Sequence, residues 1–421
     1  MRRSEAKLFT RREAGSHESE TVDLVFRAGL VRQFGSGLYG FTVTGERIRG
    51  ALIDRVDAAM AAIGAQKIRL PQLNYRSLWE ESGRWESFGE EMFTLENRDG
   101  QELCLAPSHE EGVVHLFEGL VRSYEDLPLL CYQIGRKHRD DHARQGLLRT
   151  KEFTMKDAYS LHATEDSLTA QYEAVRAAYC DLFDRLGLDF VVSAADNSVM
   201  GGPASEEFVA PVETGTVEVV ACPAAGCRFG STDESPRDVA AGEQCPECGA
   251  EVVATEGIEI AHIFELGTRY SDPMGMTVDL ADGSTQDVLM GSYGIGIDRL
   301  LHTLVAQHAD ADGCRWPGEG VDSVAPYTVS IVPLEYDDEL AAVADVIYEA
   351  CDPAETLLFD DRAQTIGERF AESDLLGVPY KLVIGNHFRE TGELELETRD
   401  GETRYIGRGE VGTLFESGSG A

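Results

Sequence analysis

Between Tyr132 and Lys156 the sequence YQIGRKHRDDHARQGLLRTKEFTMK carries seven Lys/Arg against three Asp/Glu, in a chain whose formal net charge is −38. Only six of the 37 basic residues are lysines, so a protein that otherwise avoids lysine keeps a +4 island here. The chemistry such an island serves is the binding of an anion, and polyphosphate is the candidate. Arg139 and Asp141 stand two apart, which predicts both side chains on one face of a strand, ahead of a loop that returns at Lys151-Glu152-Phe153. A second cluster, Gly294-Ile295-Gly296-Ile297-Asp298-Arg299, has a Gly-x-Gly-x-x-Arg pattern that taken alone more often marks a packing turn.

Four of the nine cysteines form a further group. Cys222 and Cys227 make a C-x4-C pair, Cys245 and Cys248 a C-x2-C pair, and 17 residues separate the two. That number and spacing of thiolates fits a tetrahedral structural Zn²⁺ ribbon. Four protein thiolates close the coordination sphere, so a catalytic zinc is not expected. The other five cysteines read as core residues, not as a secreted disulfide framework.

These groups need elements to position them. Ile48, Leu52, Val56, Met60 and Ile63 recur at helical spacing and predict a helix over 43–64, closed by Gly64 and followed by a short strand toward Pro71. A second helix is predicted over 164–187, with Thr164 as N-cap and Gly187 as terminator. Stretches 103–106, 129–134, 189–194 and 216–221 read as strands, and their mixture with helices implies an antiparallel or mixed sheet, not repeating βαβ units. Beyond Pro326 the texture changes to strand 327–333, helix 338–351, strand 355–359, helix 365–376 and strand 380–384, a small α/β domain. The Trp316-Pro317-Gly318 stretch and Gly320 lie in its linker, 314–325. A Ser/Gly tail, 417–421, is expected to be disordered.

In order along the chain, the segments SGLYGFTVTGERI (36–48), LWEESGRW (78–85), PSHEE (107–111), KEFTMKDAYSLH (151–162), GGPASEEF (201–208), GIEIAHIFELGTRYS (257–271), MGSYGIGIDR (290–299) and DDRAQTIGERFAESDLLGVP (360–379) resemble the bacterial-type prolyl-tRNA synthetases. These are class II aminoacyl-tRNA synthetases. The island resembles their motif 2, and the Gly-x-Gly-x-x-Arg segment their motif 3. The resemblance implies an α+β class II catalytic domain, an antiparallel sheet with flanking helices, over 1–221 and 254–313, and a C-terminal α/β anticodon-binding-like domain over 326–421. The cysteine ribbon, 222–253, stands where many relatives carry a large domain that hydrolyses misacylated alanyl-tRNA, which implies a short-insertion form without such editing.

The resemblance also assigns roles. It implies that Arg139 contacts the α-phosphate and the amino-acid carboxylate, that Asp141 helps hold the adenosine end, and that Phe153 and Arg299 sandwich the adenine, with Arg149, Gly294 and Gly296 in the same ATP site. The amino-acid pocket is implied at Ser108, Glu110, Arg139, Leu161, His262 and Ser292, with Glu110 pairing with the substrate ammonium. Several positions depart from the family pattern, among them Ser108, Asp141, Leu161, Glu206 and Ser292. A leucine in place of phenylalanine at 161 removes an aromatic wall, which opens the pocket to a proline-like amino acid. The expected ligands are therefore ATP with Mg²⁺, structural Zn²⁺, tRNA, and proline or a close analogue. Carboxylate attack on the α-phosphorus needs no strong general base, so fixed Arg charges, in-line positioning and Mg²⁺ suffice. Two further readings stay open, a paralogue that adenylates for another acceptor and a non-catalytic tRNA-binding relative.

The 75 Asp+Glu against 37 Lys+Arg are spread along the whole chain, which reads as a halophilic solvation surface, screened by a salty cytoplasm. Residues 321–421 hold seven Lys/Arg and 22 Asp/Glu, so tRNA recognition there would lean on stacking and hydrogen bonds. At 43% hydrophobic and 27% charged residues, with no apolar run near 18 residues, the chain is expected to be globular and off the membrane. MRRSEAKLFTRREAG lacks the apolar stretch of a secretory signal, so the expected compartment is the cytoplasm. The helix over 43–64 and the strand to Pro71 correspond to motif 1, which implies a homodimer.

Overall fold

The computed structural model describes residues 1–421 except 6, 7, 12, 14, 16, 18, 196–199, 201, 203, 238, 319–322, 353, 362 and 413–421. The tail 417–421, Gly320 in the expected linker, and parts of segments 201–208 and 360–379 thus lie outside the described residues.

Helix α1 spans Val43–Ala62 because Thr42 caps it, accepting a hydrogen bond from the Gly45 amide, and because Ile48, Leu52, Val56 and Met60 fall on one buried stripe. Gly64, at φ 77°, ends the turn that follows. Helix α2, Glu110–Phe117, places Glu110 and Glu111 in its first turn, where the helix dipole favours carboxylates. Helix α3, Glu165–Arg185, is capped by Thr164 and buries Tyr172, Val175, Tyr179 and Leu182. Helix α4 is Ile297–His308. Each fully buried aliphatic side chain on these stripes contributes about 1.5–3 kcal/mol.

Helices α1, α3 and α4 cover one face of a nine-stranded sheet, while Val113 and Val114 of α2 pack against the other beside Leu70, Tyr159 and Leu161. In chain order its strands are β1 Gln66–Lys67, β2 Leu129–His138, β3 Glu152–His162, β4 Val191–Ala194, β5 Ala204–Pro211, β6 Val217–Ala221, β7 Phe229–Thr232, β8 Val253–Gly267 and β9 Leu289–Gly296. Their spatial order is β5-β4-β7-β6-β8-β9-β3-β2-β1. Pairing is antiparallel except for β7 with β4 and β1 with β2, so the sheet is mixed. The 15-residue β8 pairs with β6 through its first half and with β5 through its second, which closes five strands into a ring. Gly257 is the residue at the crossing. A Cβ there would lie 2.5 Å from the Val209 side chain, so only glycine lets the two pairings meet.

Alternation along β3 decides which side chains can do chemistry. Lys156 and Ala158 turn toward the helices, Lys156 donating to the Tyr179 hydroxyl and the Tyr293 carbonyl, while Phe153, Met155, Asp157 and Tyr159 line the opposite, open face. The expected strand face for Arg139 and Asp141 needs correction. Pairing between β2 and β3 ends at His138 with Glu152, and the Asp140 backbone amide donates to the Glu91 carbonyl at 2.8 Å, which draws the chain off the sheet into a loop.

The C-terminal domain has five strands in the order Thr356–Leu358, Val329–Pro333, Tyr380–Ile384, Leu394–Thr398, Thr403–Ile406, with helices Asp338–Ala350 and Ile366–Leu376 beside them. Within the segment expected as a linker, Cys314, Trp316 and Val324 are buried in the catalytic core. Arg399 and Asp310 pair at 2.7 Å between the domains. The first residues dock on the C-terminal domain, Arg3 pairing with Glu372 at 2.8 Å. The insertion is likewise tied in, since β7 within 222–253 is a strand of the main sheet.

Candidate active site

Two adjoining cavities open on the bare face of the sheet. The first, about 260 Å³, is lined by Ser108, Glu110, Arg139, Phe153, His262, Ser292, Gly294, Gly296 and Arg299, together with Arg84, Asp157, Tyr159 and Glu259. The second, about 180 Å³, is lined by Arg139, Asp141, Arg149, Phe153, Gly296 and Arg299, with Glu91 and Glu259. Glu91, Arg139, Phe153, Glu259, Gly296 and Arg299 belong to both, so residues from separate segments of the chain converge on one groove.

At one end sits Glu110, buried at the head of α2. Its Oε1 accepts from the Ser292 hydroxyl at 3.0 Å, and its Oε2 lies 3.1 Å from Nη1 of Arg84. Burial pushes this carboxyl up, but the Arg84 charge and hydrogen bonds from Ser108 and Ser292 outweigh it and hold it below the ordinary carboxylate value. A carboxylate kept ionised in a closed pocket is suited to a cationic ligand group.

The turn carrying Ser108 and Glu110 is fixed from below. His109 contacts the Pro71 carbonyl through Nε2 and Lys137 Nζ through Nδ1, at 3.0 and 2.8 Å. Asp157 accepts from Lys137 and, at 2.9 Å each, from Gln133 and Tyr159. Tyr159 in turn accepts from the His109 amide at 3.1 Å.

At the other end Arg299 donates to Oε2 of Glu259 and to the Glu259 carbonyl, each at 2.9 Å. Arg139 stands over the Phe153 ring at 5.5 Å, and among the described residues its guanidinium makes one long hydrogen bond, 3.4 Å, to the Pro107 carbonyl. Burial and the neighbouring Arg299 charge both lower the proton affinity of Arg139. Glu259 pairs with Arg299, whereas Arg139 has no ion-pair partner among the described residues, and a guanidinium so placed favours an anionic ligand. Asp141 and Arg149 pair with each other at 2.7 Å across the loop. Gly294 and Gly296 keep the floor low; a Cβ on Gly296 would press on the Arg299 side chain at 3.3 Å.

His262 stacks on Phe264 at 3.9 Å, and its Nδ1 lies 3.3 Å from Glu259 and 3.7 Å from Glu207. Burial raises the Glu207 carboxyl to about 7. Leu161 is the sequence-predicted pocket residue that lines neither cavity. It is fully buried behind Tyr159 in a cluster with Leu70, Val113, Cys131 and Met290, because it lies one full alternation beyond the open part of β3. Arg84 and Glu259 were not singled out from the sequence, although both lie in segments that carry the resemblance.

Away from the groove, the four sulfurs of Cys222, Cys227, Cys245 and Cys248 lie within 4.8 Å of one another. A wider cleft of about 820 Å³ opens between residues 315–318 and strand Leu394–Thr398, but its Arg315 and Arg399 are already paired with Asp310.

Residues 93–308 match the tRNA synthetase class II core domain family (G, H, P, S and T), and residues 328–415 the anticodon binding domain family. A proline--tRNA ligase of Maricaulis maris is 36% identical over 412 residues, covering 91% of each chain. The chain belongs to the proline--tRNA ligase family. Another member of this ligase family, from Anaplasma marginale, is 37% identical over 385 residues, 89% of each chain. The ligase of Aquifex aeolicus, 29% identical, aligns over 549 positions, 128 more than the 421 residues here, so it carries sequence with no counterpart in this chain. Among solved structures, the Giardia lamblia prolyl-tRNA synthetase in complex with prolyl-adenylate has a TM-score of 0.76 at 20% identity, covering 93% of this chain and 75% of that one. The Cryptosporidium parvum enzyme, complexed with halofuginone and AMPPNP, has a TM-score of 0.75 at 16% identity, covering 96% and 76%. These likenesses establish the ligase fold: a class II core followed by an anticodon-binding domain.

Proposed function

We propose that this chain activates L-proline with ATP and transfers the prolyl group to tRNA. The observation that carries the reading is Arg139, shared by two cavities that have Glu110 at one end and Phe153 with Arg299 at the other. An amino acid whose ammonium meets Glu110 turns its carboxylate toward Arg139, beside the α-phosphate of a nucleotide whose adenine lies between Phe153 and Arg299. A carboxylate oxygen then bonds to the α-phosphorus as the bond to pyrophosphate breaks. In the second step a ribose hydroxyl at the tRNA end attacks the carbonyl and AMP leaves. Positioning and fixed charge supply the catalysis. Ser108, His262 and Ser292 complete the amino-acid side; Asp141, Arg149, Gly294 and Gly296 complete the nucleotide side. Glu91 and Glu259 line both cavities and supply the hard oxygen ligands that suit the Mg²⁺ accompanying ATP, whose charge would offset that of the phosphates.

Proline as substrate is supported by the named relatives and by the position of Leu161, whose replacement does not enlarge the pocket. Charging of a tRNA pool with labelled proline tests the reading. Proline should be esterified at the tRNA terminus; no charging with proline, or preferential charging with another amino acid, would overturn it.

The remaining expectations join this reading. The converging cysteine sulfurs support a closed, structural Zn²⁺ site. The C-terminal domain would bind tRNA. Exposed Phe34, Leu73 and Tyr75 flank α1 and β1, in keeping with a two-fold interface there. No helix among the described residues is long and apolar enough to cross a membrane, and the acidic surface suits a cytoplasm of high salt.

A further inference from the structure

Arg84, Glu110 and Glu111 form a closed cluster of three charges, each side chain at most 3% exposed, and the proposed function uses only one of them. Nη1 of Arg84 reaches both oxygens of Glu111, at 3.1 and 3.2 Å, but one oxygen of Glu110, at 3.1 Å. Glu111 also accepts from the Ser82 hydroxyl at 2.7 Å, whereas Glu110 takes the Ser292 hydroxyl at the cavity wall. Trp79, Phe88 and Tyr270 surround the guanidinium at 5.1 to 5.3 Å, so little water screens these charges.

The charge count is informative. Burial and the neighbouring Glu110 push the Glu111 carboxyl up, against which Arg84 and the Ser82 hydroxyl favour its ionised form; with both carboxylates ionised against one guanidinium the cluster carries a single negative charge. The next buried pair, Lys137 with Asp157, cancels itself, and His109 beside it is held neutral by burial. Arg269, which donates to the Ser82 carbonyl at 3.0 Å, is half-buried and open to solvent screening. If Glu110 were alone with Arg84, the site would be neutral and would have no net charge to offer an ammonium.

We propose that Glu111 and Arg84 are positioning residues that set the charge of the amino-acid site, Glu111 taking up the Arg84 charge so that Glu110 presents one negative charge to the substrate's ammonium. Arg84 also ties Glu110 to Ser108, donating to its hydroxyl at 3.2 Å, which aims both groups into the cavity. This rests on Glu110 as the ammonium partner.

The test is a set of variants assayed by pyrophosphate exchange, with thermal melting as a check on folding. Glu111→Gln keeps the shape but leaves a neutral site, and the KM for proline should rise about tenfold or more while the KM for ATP changes less than about threefold. Discrimination between proline and cyclopentanecarboxylate, the same ring without nitrogen, should narrow by a similar factor. Arg84→Met alone should melt lowest, since two buried carboxylates then face each other. Glu111→Asp, which retains the charge, should stay near the parent and serves if Glu111→Gln does not fold. Parent-like proline affinity in Glu110→Gln would sink the ammonium assignment itself. A weakened Glu110→Gln beside an unchanged Glu111→Gln would overturn the charge-setting role.

Discussion

Nζ of Lys137 lies 2.7 Å from Oδ1 of Asp157, and both side chains are closed to solvent beneath the turn that carries Ser108 and Glu110. Burial pushes the Asp157 carboxyl up, but the Lys137 charge and the hydrogen bonds from Lys137 and Gln133 outweigh it and keep it below its ordinary value. Asp157→Asn would leave a buried ammonium without its counter-charge, so unfolding free energy should fall by about 3–5 kcal/mol. Chemical denaturation measures this. An Asp157→Asn variant as stable as the parent would mean that the pair does not hold the turn.

His302, on α4, is fully buried with Nδ1 unpartnered, and burial lowers its pKa to about 4. The folded protein keeps the ring neutral while the unfolded chain takes up a proton near 6.5. Its contribution is therefore complete above pH 6.5 and is lost as pH falls toward 4, by about 1.4 kcal/mol per pH unit. His109 and His162 act in the same direction, whereas the raised carboxyls of Glu207 and Asp298 act in the opposite one. A difference measurement isolates the effect. The stability gap between the parent and His302→Leu should move in favour of the variant by about that slope between pH 6 and 4.5, and a gap independent of pH would contradict the assignment.

Much of this arrangement is legible in the sequence because the chain states it locally. Thr42 and Thr164 cap helices whose apolar positions recur every three or four residues, and the C-terminal strands and helices fall within a few residues of their expected bounds. The basic island and the Gly-x-Gly-x-x-Arg segment each name a wall of the groove. What fails is what depends on distant partners. Nothing local says that β8 changes partner at Gly257, that Arg84 is buried against two glutamates, or that Asp140 leaves the sheet for Glu91. Leu161 shares a face with Tyr159 but lies past the point where that face is covered, a fact set by residues 70, 113 and 131.

That placement gives a prediction of its own. If Leu161 lined the pocket, Leu161→Phe would tighten amino-acid selection. Buried as it is, the larger ring should instead overpack the cluster, costing about 1–3 kcal/mol without altering the preference among amino acids. A change of selectivity at parent-like stability would restore the residue to the pocket wall.

The cysteine cluster should hold one zinc per chain by metal analysis. Cys245→Ser should lose it and lower the melting temperature, because a segment this small buries too little apolar surface to order itself. Most pyrophosphate exchange should survive, since four thiolates leave no open position for chemistry. Carefully purified protein without zinc would contradict the site.

The most direct test of the account is ATP–pyrophosphate exchange measured with each amino acid in turn, on the parent and on Arg139→Ala. Among the described residues the Arg139 side chain makes one long hydrogen bond, so its loss should leave the fold intact. Exchange should depend on proline, and in Arg139→Ala it should drop to background at an unchanged melting temperature. Exchange driven by another amino acid, or near-parent exchange in Arg139→Ala, would contradict it.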